Sequence, residues 1–115
     1  MAVDEGLEER LREHFRDIFD VDEKHMFGGL AMMVNGHMCC GIVKDSLMVR
    51  VGRENYASAL KRPFAREMDF TGKPLTGFVY VEAEGIAEDQ DLADWVQRGL
   101  DYVFTLPPKT RYPGA

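Results

Sequence analysis

Cysteine and histidine are scarce in this 115-residue chain, which has two cysteines in a single dipeptide and three histidines. Neighbouring residues of a strand point to opposite faces, so Cys39 and Cys40 are not expected to bond each other or to share a metal. The disulfide framework of a secreted domain is absent. His14, His25 and His37 stand at no spacing that gathers ligands, so no metal site is expected. Positive charge is also in short supply: 14 basic residues face 20 acidic ones, for a net charge of −6. A nucleic-acid binder usually carries a basic face to neutralise phosphates, so direct nucleic-acid binding is disfavoured. Lys61, Arg62 and Arg66 form the one local basic cluster, read as a solvated helix end. No apolar run approaches the ~20 residues that cross a bilayer. The acidic start (Asp4, Glu5, Glu8, Glu9) has none of the pattern of a signal peptide. A cytoplasmic protein with no membrane partner is the expectation.

What is present is an ordinary globular composition, 45% apolar, in a length that suits one domain with a single core. Leu7, Leu11, Phe15, Ile18 and Phe19 recur at helical spacing behind Asp4, a plausible N-cap, predicting a helix over about 4–20. Then the period changes to two. Leu30, Met32 and Val34 alternate up to Asn35-Gly36, a dipeptide that tolerates the positive φ angles of a type I′ turn. Met38, Cys40 and Ile42 alternate after it, and Lys44-Asp45 leads into Leu47, Val49 and Val51. Three strands joined by two tight turns make an antiparallel meander.

Residues 53–61 suit a short helix stopped by Pro63, with Tyr56 and Leu60 on its buried side. Residues 67–70 and 78–82 read as strands around a loop at 71–77. Leu92, Trp95, Val96, Leu100, Val103 and Phe104 trace the clearest amphipathic helix of the chain, closed by Pro107-Pro108. The order α-β-β-β-α-β-β-α predicts a two-layer α+β domain, one antiparallel sheet of about five strands covered by helices. The domain is expected over residues 1–109, with a disordered tail at 110–115.

Several blocks in this order carry a family resemblance. They are Lys24-His25-Met26-Phe27-Gly28-Gly29, Asn35-Gly36-His37-Met38, Leu47-Met48-Val49-Arg50-Val51, Met68-Asp69-Phe70-Thr71-Gly72-Lys73-Pro74 and Gly77-Phe78-Val79-Tyr80-Val81. With the closing helix around Trp95 and Leu100, they resemble the TfoX/Sxy N-terminal domain over about residues 5–109. The resemblance implies a secretion-chaperone-like fold and a bacterial domain of the kind found in regulators of competence genes, which act with the cAMP receptor protein. Full-length members carry a second, C-terminal domain, for which 115 residues leave no room. Met26, Phe27, Gly28, Gly29, Gly36, Gly72 and Pro74 are the motif positions, read as structural.

Few residues announce chemistry. Neither Gly28-Gly29 nor Gly72-Lys73-Pro74 fits a Walker or Rossmann fingerprint, so strand bending and turns explain them. A reactive thiolate needs a cation, an imidazole or a helix N-terminus, and sequence spacing supplies none for Cys39 or Cys40. No residue is assigned a catalytic role, no cofactor is implied, and the balance leans away from an enzyme. Methionine is the suggestive residue, with seven in the chain and six in or beside the strands. On the sheet face away from the helices, Met33, Cys39 and Met48 would form an adaptable apolar patch beside Arg50. The leading expectation is a regulatory or adaptor domain that contacts a protein partner, transcription-related by resemblance, or a second copy of itself. The alternative is a small-molecule or enzymatic pocket between helix and sheet near Phe27, Gly28, Arg50 and Tyr80, with Arg50 as anion anchor.

Overall fold

The computed structural model describes residues 5–18, 20–26, 29–69 and 74–108. Three helices and six strands follow in the order α1 (Glu5–Glu13), β1 (Val21–Met26), β2 (Gly29–Val34), β3 (His37–Val43), β4 (Ser46–Arg50), α2 (Arg53–Leu60), β5 (Ala65–Asp69), β6 (Pro74–Val81) and α3 (Asp89–Val103). A short 3-10 helix, Ala83–Ile86, precedes α3. The strands form one antiparallel sheet in the order β1-β2-β3-β4-β6-β5. β4 and β5 therefore run parallel to each other on either side of β6, and α2 makes the crossover between them.

The α+β architecture follows the hydrophobic periodicity, with one more strand than expected. β1, Val-Asp-Glu-Lys-His-Met, has no apolar alternation because it is an edge strand, and its charges blunt the free edge. Helix α1 is shorter than the predicted 4–20: its helical turns end at Glu13, although Phe15 still reaches the core. The stretch assigned to a loop ahead of Phe78 is partly strand, since β6 begins at Pro74. The central hairpin turns at Asn35 (φ 53°) and Gly36 (φ 82°), both left-handed as a type I′ turn requires.

All three helices lie on one face of the sheet. That inner face presents Leu30, Met32, Val34, Cys40, Ile42, Leu47, Val49, Val79 and Val81, which pack with Leu7, Leu11 and Phe15 of the α1 segment, Ala59 of α2, and Leu92, Trp95, Val96, Leu100 and Val103 of α3. Each buried Val, Leu, Ile, Phe or Met among them contributes about 1.5–3 kcal/mol. Gly99 brings α3 down onto β3, because a Cβ there would stand 3.0 Å from both the carbonyl and the sulfur of Cys39. Two arginines clasp α1. Arg10 donates to the Ile86 carbonyl at 2.8 Å and pairs with Asp89, and Arg12 pairs with Glu23 of β1 at 2.8 Å.

Candidate functional site

A bulge in β3 decides where the two cysteines go. Met32 pairs with Cys40 and Met33 pairs with Met38, so Cys39 is an extra residue with no partner on β2. The expected alternation fails at this point. Cys39 turns its sulfur toward Gly99 of α3, and Cys40 also belongs to the inner core, so both thiols face the helices. Both are fully buried and free. Hydrogen bonding with Cys39, reinforced by burial, pushes the Cys40 thiol well above its ordinary pKa, which makes it a poor nucleophile. His37 does not serve them, because its Nε2 lies 2.7 Å from the Pro107 carbonyl.

On the outer face the register sets out one long transverse row. It runs Lys24, Ala31, Gly41, Met48, Tyr80, Arg66 from β1 across to β5. Two shorter pieces lie beside it: Asp22, Met33 and Met38 line up across β1 to β3, and Arg50 pairs with Phe78 across β4 and β6. Among the described residues no helix packs on this face. Met48 is nevertheless only 1% exposed, and its Cε lies over Gly41, where a Cβ would come 3.0 Å from it. Ala31 and Met68 are buried too, whereas Met33, Met38, Phe78 and Tyr80 are half-buried. Of the residues anticipated as a patch, Met33, Met48 and Arg50 share the outer face, and Cys39 has left it.

Arg50 stands at the end of that face with its guanidinium carbon 5.6 Å from the Phe78 ring centre and 5.4 Å from that of Tyr102. Tyr102 belongs to α3 and reaches Arg50 past Gly52. The backbone there turns left-handed (φ 84°), and any Cβ would run into the tyrosine ring. Among the described residues, no oxygen accepts a hydrogen bond from Arg50 and no carboxylate pairs with it. By contrast, Arg66 lies over Tyr80 at 5.2 Å and pairs with Glu82.

The cavities among the described residues are modest. One of about 460 Å³ is lined by residues that include Gly52, Glu54, Asn55, Asp101 and Tyr102, and another of about 230 Å³ lies beside Phe64 and Trp95. Arg50 and Tyr80 line neither. The Tyr56 hydroxyl is buried with no hydrogen-bond partner among the described residues. Burial, and secondarily the charge of Glu67, raise its pKa, so it keeps its proton. Of the motif positions, Phe27, Gly28 and Gly72 lie outside the described residues. Met26 ends β1, Pro74 opens β6, Gly36 closes the hairpin, and Gly29 lies so near the Ile42 carbonyl that no side chain fits. The proposed tail at 110–115 also lies outside them.

A family model for the TfoX N-terminal domain matches residues 13–103, a span that runs from the end of α1 to the end of α3. The chain belongs to this family. A comparison with curated proteins finds no match. The matched span contains the transverse row and the Arg50 cluster, so the outer face is part of the family domain. The aromatic clamp on Arg50 escaped the sequence reading, since Tyr102 lies 52 positions away on what looked like an ordinary helix face. The one available signal was Gly52, a glycine just after a strand with no turn motif around it to account for it.

Proposed function

We propose that this domain is a non-enzymatic regulatory or adaptor module that acts by docking a protein partner on the outer sheet face. The observation that carries the reading is the composition of that face: half-buried Met33, Met38, Phe78 and Tyr80, with two arginines stacked on aromatic rings. Tyrosine, methionine and arginine are the residues enriched where proteins bind one another, and adaptable thioethers suit a contact surface. The resemblance to competence-gene regulators directs the search to transcription-related partners in the cytoplasm. Self-association through the same face is the competing occupant.

Quantitative pull-down from the native cells tests this, using the wild-type chain beside a Met33→Glu variant whose folding is verified by circular dichroism. We expect a transcription-related protein to be captured by the wild type and lost in the variant. Equal capture by both would overturn the assignment of the face, and recovery of the chain alone would replace the adaptor with a homodimer.

A second reading rests on the cavity of about 460 Å³ between α2 and the end of α3, which falls inside the range of small-molecule sites. A ligand at 100 times its dissociation constant would add roughly 2.7 kcal/mol of stability. Thermal-shift screening with nucleotides, acyl-CoA and sugar phosphates would show it, and silence across them would remove the reading.

A further inference from the structure

Resting on the docking reading above, we propose that Arg50 is a carboxylate receptor that takes an aspartate or glutamate of an acidic partner segment laid along the outer face. The guanidinium lies over two rings, Phe78 from the neighbouring strand and Tyr102 from α3. Stacking leaves the edge of the fork free, and a planar fork matches a carboxylate with two parallel hydrogen bonds. The clamp fixes the side chain in advance, so less rotamer freedom is lost on binding. Arg10, Arg12, Arg16 and Arg66 each already hold a carboxylate, while Arg50 holds none among the described residues and is half-buried. An acid meeting it would be partly withdrawn from water, where charge pairs are screened less. Phe78 is its cross-strand partner, and Met33 and Met38 lie on the same face toward β2 and β3, which calls for apolar residues along with the acid. The adjoining cavity is lined by Arg53 beside Glu54 and Asp101 and not by Arg50, so the receptor serves the face and not the cavity.

The test uses the full chain and two peptide probes carrying an N-terminal fluorescein, LEELEEL-NH2 and its glutamine counterpart LQQLQQL-NH2, titrated by fluorescence anisotropy. We expect the acidic peptide to bind about tenfold more tightly than the neutral one. Arg50→Lys, which keeps the charge and loses the fork, should remove most of that preference, and Arg50→Gln all of it. Tyr102→Leu should weaken it with Arg50 still in place, and it avoids the folding risk of a Gly52 substitution. Equal binding of both peptides, or an acidic preference untouched in Arg50→Gln, would overturn the receptor. If the peptides bind independently of Arg50 but are lost in Met33→Glu, the receptor fails and the docking face stands. Failure of both peptides, together with no partner in the pull-down, would overturn the two together.

Discussion

The two faces of this sheet are built from the same strands and end in opposite chemistry. On the inner face β2, β3, β4 and β6 contribute aliphatic, methionine and thiol side chains that are buried in one core with the helices. The outer face carries Met33, Met38, Arg50, Phe78 and Tyr80 at intermediate exposure, with Ala31, Gly41 and Met48 buried in the middle. A sheet with helices on one side needs only one apolar face to fold. Apolar and aromatic side chains on the other face add little to the core. Their presence there, arranged around a clamped arginine, is the reason to assign that face to binding.

Substitutions on the two faces should separate stability from binding. The largest effect is expected from Leu47→Ala, at a fully buried inner position, which should cost about 2–5 kcal/mol in chemical denaturation. Cys39→Ser comes next, at about 1–3 kcal/mol, since a hydroxyl buried under α3 would lack the partners it needs. Had Cys39 stood on the outer face, the same change would be nearly silent, so this variant also tests the bulge. Met33→Glu, one strand away on the outer face, should shift stability by about 0.5–1 kcal/mol while abolishing partner capture.

The smallest effect concerns the clasp on α1. Arg12, through its hydrogen bond above all, holds the Glu23 carboxyl below its ordinary value of 4.5. A group with a depressed folded pKa stabilises the fold fully above its unfolded value and loses that contribution as pH falls through the folded one. Glu23→Gln should therefore cost about 0.2–1 kcal/mol at neutral pH, because the pair is solvent-exposed. The difference from wild type should vanish in acid below the carboxylate range, as denaturation midpoints measured across pH would show. A loss that persisted there would mean that the pair acts through packing.

Much of the inner face was legible in the sequence. Leu30-Met32-Val34, Cys40-Ile42 and Leu47-Val49-Val51 alternate with period two, Asn35-Gly36 marks the hairpin, and the stripe from Leu92 to Val103 gives α3. Two things were not legible. Edge strand β1 has only Val21 packed against the core and no apolar alternation, so its pairing with β2 leaves almost no hydrophobic trace. The bulge at Cys39 changes the alternation by one residue, and no local residue type announces it. That single insertion moves a cysteine from the supposed contact patch into the core. The Arg50 cluster was half legible: strand alternation places Arg50 on the outer face, while its partnership with Tyr102 depends on the path of α3 across the sheet end.

The central claim is that the outer face, and not the helix-covered one, meets the partner. The chain's methionines report both faces at once, since Met32 lies inside while Met33 and Met38 lie outside. The most direct measurement is a methyl-methionine NMR spectrum of the labelled chain, alone and saturated with the partner recovered in the pull-down. The account predicts that the Met33 and Met38 signals move and that of Met32 stays. Movement of Met32 with Met33 and Met38 unchanged would contradict it.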